Sequence, residues 1–391
     1  MRVHSAILCM AAQSYASVSK TVVLANASPL RGVSQDLERV AILEVRPGNS
    51  SERVTLILDS EGARSELLIP VTLESIEAEA AQHQDDESYY PSPYAETSVV
   101  FSIRNSWVGE PDLVFEDTNV LTQKYLLSDE ESVTPLESHG TLAIGPASAF
   151  ANEYKSFVLV PTFLGVGTER RIVKHLVLNP VNPGCDCAGP EYRMFAATAI
   201  RVPGIGYTTP DVWAVGGFSK IDIASDNGSV FRGSSSSIVS KQARYRISTI
   251  SNDDHVPEEI YDALVANISA QGASVSTSET EALVPLTIIS NCDQVKNWPK
   301  ITYSIPLSDG SGQFDIVIDQ SDYLQPVSSI TTGSEVSSSC ILRMLPRRQL
   351  YSKPIEEYTI GVNILNKIAV HFDNVNRQVG FCYSAEIQRE M

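Results

Sequence analysis

The sequence predicts a mostly β protein in two halves with few, short helices, and three observations carry that expectation. Short apolar runs alternate with Pro, Gly, Asn and Asp turn signals along much of the chain. Only one stretch convincingly repeats apolar residues at helical spacing. A segment rich in Pro and Gly (Pro180, Pro183, Gly184, Gly189, Pro190) lies near the middle and marks the boundary between the halves. The length of 391 residues fits two domains or one large fold with a substantial core. Hydrophobic residues make up 43% and charged residues 19%, which excludes a wholly disordered chain.

In chain order, residues 1–16 read as a signal peptide. Met1-Arg2 is a positive start, Ala6 to Ala12 a short apolar stretch, and Ser14-Tyr15-Ala16 a small-x-small cleavage site. The bland alternative is a frayed cytosolic terminus. Residues 17–37 form a short N-terminal segment. Val40 to Val45 and Arg53 to Leu58 flank Pro47-Gly48-Asn49 and read as a hairpin. Residues 76–96, with Asp85-Asp86-Glu87, Pro91 and Pro93, read as an acidic surface loop that includes Tyr89, Tyr90 and Tyr94. Ser234 to Ser237 marks another loop. The one convincing helix opens at Pro257-Glu258-Glu259, where proline and acids suit a helix N-terminus, and continues through Ile260, Leu264 and Ile268 on one face. The two β lobes are accordingly expected over 38–190 and 191–391.

Charge and cysteines narrow the function classes. With 29 Lys+Arg against 47 Asp+Glu the net charge is −18, which argues against nucleic-acid binding, since that needs clustered cations. No window approaches the roughly 20 apolar residues of a membrane span. Cleavage after Ala16 would remove Cys9 and leave Cys185, Cys187, Cys292, Cys340 and Cys382, enough for at most two internal disulfides with one thiol left over. Cys185-Asp186-Cys187 has no second pair at metal-ligand spacing, so no zinc site is read. Sequons at Asn26, Asn49, Asn227 and Asn267 suit a secreted glycoprotein.

The C-terminal run Thr359-Ile360-Gly361-Val362-Asn363-Ile364-Leu365-Asn366-Lys367-Ile368-Ala369-Val370-His371-Phe372-Asp373, closing with Asn376-Arg377-Gln378-Val379-Gly380-Phe381, resembles the final segment of pepsin-like aspartic peptidases without gaps. Cys292 to Tyr303 resembles that family's strand after the first cysteine of its second lobe, and Phe314 to Tyr323 and then Cys340 follow in family order. The helix at Pro257 is similar to the one after the second active-site loop. Leu56-Ile57-Leu58-Asp59 and Leu67-Leu68-Ile69-Pro70 bracket the place of the first active-site loop, and His139 to Gly145 resembles the turn that supports it. The resemblance runs collinearly from about residue 38 to residue 385. It implies a bilobal pepsin-like β-barrel fold with a central interlobe sheet, and a Cys292–Cys340 disulfide. Cys382 ends the strand that closes that sheet, and Cys185 or Cys187 lies near the segment that enters it, so one of the two could bridge to Cys382 and leave the other free. The strand and turn pattern is compatible with this fold but would not yield it alone.

The family's chemistry uses two aspartates, one per lobe, each in an Asp-Thr/Ser-Gly turn; held close, they share a proton and split into acid and base. The glycine stands where a side chain would clash as the two loops cross. The first loop here reads Asp59-Ser60-Glu61-Gly62, with Gly62 one place late and Pro70 two places late. The alternative reading of those residues is an ordinary surface turn. In the second loop, Ile247-Ser248-Thr249-Ile250-Ser251-Asn252 puts Ser248 at the aspartate position and Ile250 at the glycine position. Asp253 and Asp254 could in principle replace the lost acid, but they precede the helix, where acids are favoured as caps. The place of the flap tyrosine falls on Asn105, with no tyrosine nearby.

Two readings follow from the resemblance. One is a pepsin-fold aspartic-peptidase homologue without activity, whose interlobe cleft, lined by Ser60, Glu61, Gly62, Thr249 and Asn105, takes an extended peptide or protein partner. The other is an active endopeptidase with an altered dyad. The roughly 23 residues between Ala16 and Val40 leave no room for the family's basic pro-segment, which suits the first reading. In it Asp59 is vestigial and behaves as an ordinary ionised carboxylate. Neither metal nor cofactor is implied, and a secreted monomer is expected. His371 reads as a plain strand residue, and Trp107, Trp213 and Trp298 as core or cleft aromatics.

Overall fold

A computed structural model of the chain describes residues 18–27, 40–48, 53–67, 94–107, 110–127, 140–164, 171–180, 193–196, 212–216, 220–226, 228–233, 244–251, 253–279, 285–306, 312–326, 339–346 and 357–383. The first half builds β1 (Val18–Ala27), β2 (Val40–Pro47), β3 (Val54–Asp59), β4 (Ser65–Leu67), β5 (Tyr94–Trp107), β6 (Glu110–Leu127) and β7 (Gly140–Ala143). These pair in the order β1-β2-β3-β7-β4-β6-β5, and further pairings of β5 with β1 and β2 close the ring. Alternation separates two buried faces: Leu56 and Leu58 join the main core with Leu43 and Val45 of the neighbouring strand, while Ile57 between them is buried in a separate small cluster with Val362. The expected hairpin is present, with Ile42 opposite Ile57 and Val45 opposite Val54.

The same sheet runs on from β1 through β9 (Arg171–Leu178), β8 (Ser156–Leu164), β24 (Ile368–Asp373) and β25 (Gln378–Tyr383) to β10 (Arg193–Ala196). The C-terminal hairpin therefore lies beside first-half strands, with His371 opposite Val158 and Phe372 opposite Phe157. Helix α1 (Ala149–Tyr154), capped by the Ser148 hydroxyl, covers this junction with Phe150. Phe150, Phe157, Phe372 and Trp213 form a chain of ring contacts, each pair 5.2 to 5.3 Å apart between centroids. Trp213 Nε1 donates to the Ile144 carbonyl at 2.9 Å, so this tryptophan ties the halves by packing and by hydrogen bond.

Among the described residues, the remaining strands of the second half form three sheets. One orders β11 (Ala214–Gly216), β14 (Arg244–Ile247), β23 (Glu357–Ile360), β15 (Asp254–Val256) and β22 (Met344–Pro346). Another orders β13 (Gly228–Gly233), β12 (Lys220–Ser225), β18 (Lys300–Pro306) and β19 (Gln313–Ile318). The third orders β16 (Ser274–Glu279), β17 (Pro285–Ser290), β21 (Cys340–Leu342) and β20 (Leu324–Pro326). Helix α2 (Glu258–Ala270) is the predicted one, with Pro257 at its N-cap, acids in its first turn and Ile260, Leu264 and Ile268 buried. The short helices α3 (Gln320–Tyr323) and α4 (Val362–Leu365) and a single 3-10 turn at Cys292–Gln294 complete the described elements.

Several expectations need correction. Val18 to Ala27, given no element from sequence, is a strand with three partners, β2, β5 and β9. Tyr94 to Glu96 belong to β5 rather than to the acidic loop, whose remainder lies outside the described residues, as do Ser234 to Ser237. Asp253 and Asp254 are not helix caps: Asp254 sits inside β15 and is fully buried. No helix among the described residues is long and apolar enough to cross a membrane.

Cys292 and Cys340 are bridged as implied, with Cα atoms 6.1 Å apart and a sequence separation of 48. Cys382 is also disulfide-bonded; Cys185 and Cys187 lie outside the described residues, and among those described no cysteine is free. Closing a loop of that length restricts the unfolded chain by about 4 kcal/mol in the entropic account. Replacing both Cys292 and Cys340 by alanine should therefore lower the unfolding free energy by roughly 2–4 kcal/mol in urea titrations.

His371 is a strand residue, as expected, but a buried one, 3% exposed. Its Nε2 and the Ser156 hydroxyl oxygen are hydrogen-bonded at 2.7 Å across β24 and β8. Burial pulls its pKa from 6.5 down to about 4, against the opposing pull of Asp373. Between those two values the unfolded chain binds more protons than the folded one. This contribution to stability is thus present above about pH 6.5 and is lost as pH falls toward about 4. Its size is on the order of 3 kcal/mol. His371→Gln should flatten the dependence of unfolding free energy on pH across that window.

Candidate functional site

Two turns related by a local two-fold meet where the lobes join. In the first lobe β3 runs parallel to β7, with Asp59 opposite Ala143, while β4 runs antiparallel to β7. In the second lobe β14 runs parallel to β23, with Ile247 opposite Ile360, while β15 runs antiparallel to β23. Asp59 follows Leu58 as Ser248 follows Ile247, so the two are equivalent positions. Ser65 stands six residues after Asp59, and Asp254 six after Ser248. Their side chains do the same work: Ser65 Oγ accepts the Ala143 N–H at 3.0 Å, and Asp254 Oδ1 accepts the Gly361 N–H at 2.7 Å. Relative to the second turn, the first carries no insertion before Ser65.

The turns are clasped through hydroxyl groups. The Ser60 N–H donates to Thr249 Oγ1 at 3.0 Å, and the Thr249 N–H donates to Ser60 Oγ at 3.0 Å. Each hydroxyl then donates across the boundary, Ser60 Oγ to the Ile247 carbonyl at 2.7 Å and Thr249 Oγ1 to the Leu58 carbonyl at 2.5 Å. Ser60 and Thr249 are buried, so four backbone groups that water cannot reach are satisfied by two side chains. Sequence comparison placed both residues in the cleft loops; what they do is join the lobes.

Asp59 is half-buried, and its Oδ1 accepts the Glu61 N–H at 2.8 Å. Gly62 has a steric reason: a Cβ there would come within 2.7 Å of Asp59 Oδ2. Gly145 has another, since a Cβ would meet the Gly62 carbonyl at 2.5 Å. Burial pushes the Asp59 pKa above its ordinary value of 3.8, against hydrogen bonds from the Glu61 and Gly62 amides and the nearby Arg246 guanidinium. The expectation of an ordinary carboxylate is thus corrected, because burial outweighs the amides and the cation.

Ser248 is fully buried, and its hydroxyl accepts the Ser251 N–H at 3.1 Å. The two nearby acids are engaged elsewhere. Asp253 Oδ1 pairs with Arg343 Nη1 at 3.4 Å, while Arg343, itself 2% exposed, donates through Nε to Gln325 Oε1 at 2.7 Å. Asp254 receives the Gly361 amide and, at 3.4 Å, Asn363 Nδ2. Gly361 is wedged here, with a Cβ only 2.8 Å from the Ser251 carbonyl. Asn105 is not in a loop: it pairs within a sheet, opposite Lys20 and Phe115. Arg246, unremarked in the sequence, reaches from the second lobe to Glu61, its Nη1 at 2.9 Å from Glu61 Oε2. Its position two residues before Ser248, on the same side of the strand, was the available signal. No group of three or more metal-ligating side chains occurs among the described residues.

Two solved structures share this architecture over nearly their whole lengths. Basic 7S globulin from soybean matches with a TM-score of 0.52 and 11% identity, over 96% of this chain and 98% of that one. EDGP matches with a TM-score of 0.51 and 12% identity, over 96% of each chain. Identities this low establish the fold alone, which is the mostly β, bilobal pepsin-like one. No family model matches the sequence, and no curated protein matches it significantly.

Because the folded Asp59 holds its proton to higher pH than the unfolded chain does, its ionisation costs stability. That cost is absent below 3.8, the unfolded value, and grows as pH rises through the folded one. Asp59→Asn should raise the melting temperature at neutral pH, and the gain should vanish in scans below about pH 3.8.

Proposed function

We propose that this protein is a pepsin-fold aspartic-peptidase homologue that does not cleave peptides and whose interlobe cleft binds an extended peptide or protein partner. The observation that carries the proposal is the pairing of Asp59 with Ser248 across a clasp that makes their positions equivalent. Peptide hydrolysis on this scaffold needs one carboxylate to take a proton from water while a second, protonated one polarises the substrate carbonyl. A serine hydroxyl does not exchange a proton near neutral pH in that manner. Asp253 and Asp254 are committed to Arg343 and to the Gly361 amide, which counts against either as the missing acid. The Cys292–Cys340 bridge suits an oxidising compartment and supports a secretory-pathway location, with Asn267 on α2 among the candidate glycosylation sites.

Loss of one acid–base partner costs about 10²- to 10⁴-fold in rate. Purified protein should therefore show no measurable hydrolysis of a denatured protein substrate from about pH 2 to about pH 7, the range spanned by a working dyad. Cleavage that a transition-state analogue inhibits and that Asp59→Ala abolishes would instead establish the active-peptidase reading.

A further inference from the structure

The positions two residues after Asp59 and two after Ser248 are where the related peptidases keep glycine, yet this chain has Glu61 and Ile250. The positions two residues before each are Ile57 and Arg246. The local two-fold sets the residue after each turn's centre against the residue before the other's. The contacts follow that rule. Glu61 of the first lobe forms its ion pair with Arg246 of the second at 2.9 Å, both side chains about a quarter exposed or less. Ile250 of the second lobe packs against the buried pair formed by Ile57 of the first and Val362 of the second, with Ile42 alongside.

We infer that Glu61–Arg246 and Ile250–Ile57 form a matched lock, one crossing ionic and the other apolar, that holds the two turns at one separation. The chemistry of each crossing is self-consistent. Exchanging the two residues after the turns would bury a carboxylate against Ile57 and leave the Arg246 guanidinium against an alkyl chain, both unfavourable. In the chain the lock residues bracket those of the clasp, Ile57 and Glu61 on either side of Ser60 and Arg246 and Ile250 on either side of Thr249. It goes beyond the proposed function, because it concerns the junction whether or not the cleft takes a ligand.

The Ser60 and Thr249 amides each donate across the lobe boundary, so their hydrogen exchange reports its opening directly. Glu61→Gln and Arg246→Gln should each speed exchange at both amides by about fivefold or more, as for a partly buried pair. The double variant should exchange no faster than the faster single one, because one bond is broken once. Ile250→Gly should speed the same amides by about tenfold or more. The Ile316 amide of β19, away from the junction, should stay at its wild-type rate in all four proteins. The inference is overturned if Ser60 and Thr249 exchange at wild-type rates in the variants, if the two Gln effects multiply, or if the amides quicken only in step with Ile316. A protein that cleaves peptides while passing this test would overturn the functional reading and leave the lock standing.

Discussion

The crossed hydrogen bonds between Ser60 and Thr249 are the constraint on which the rest of the site depends. Both turns enter the junction edge-on, with backbone amides and carbonyls that no strand can satisfy and no water reaches. Two hydroxyl side chains settle four of those groups, and they do so only if the turns meet at one distance and one rotation. That fixes where Asp59 and Ser248 sit. It also brings Glu61 against Arg246 and Ile250 against Ile57. The two turns keep one frame, with Asp59 and Ser248 at equivalent places in it.

A second buried layer supports the second turn from behind. Arg343 is almost fully enclosed, yet it is held by Gln325 and Asp253, while its own carbonyl accepts the Asp254 amide and Asn363 Nδ2. Buried charge is tolerated where each donor has an acceptor, and removal of either partner strands the other. The two aspartates are therefore read as supports for Ile360-Gly361, which in turn receives Ser248 through its N–H to the Ile360 carbonyl. The first lobe does the corresponding job with the neutral Ser65. The quasi-symmetry preserves geometry while exchanging the chemistry.

What was legible in the sequence was local or strongly patterned. Helix α2 could be read from Pro257, its acids and its four-residue spacing; the β2–β3 hairpin from its turn residues; the disulfide and both turn positions from collinear motif order. Two kinds of feature were not. Val18 to Ala27 lies beside an apolar leader-like stretch, and two of its three strand partners, β5 and β9, are far away in sequence, so little that is local announces it. Arg246 and Ile250 matter through contacts to residues nearly 190 positions earlier, such as Glu61, and a single sequence carries no trace of that pairing. The Asp59 shift likewise depends on burial by distant segments rather than on its neighbours in the chain.

The long sheet has a consequence for biosynthesis. Its middle is made of β8, β9 and β1 from the first half, but β24 and β25, which complete it beyond β8, come from residues 368–383. Until those late residues leave the ribosome, the outer side of β8 presents an unfilled hydrogen-bonding edge next to Phe157 and Leu159. Such non-local strand pairing is slow and exposes sticky intermediates. The nascent first lobe thus waits, with its barrel closed and its flank open, for most of the second lobe to be translated, and that interval is when holding chaperones would matter most.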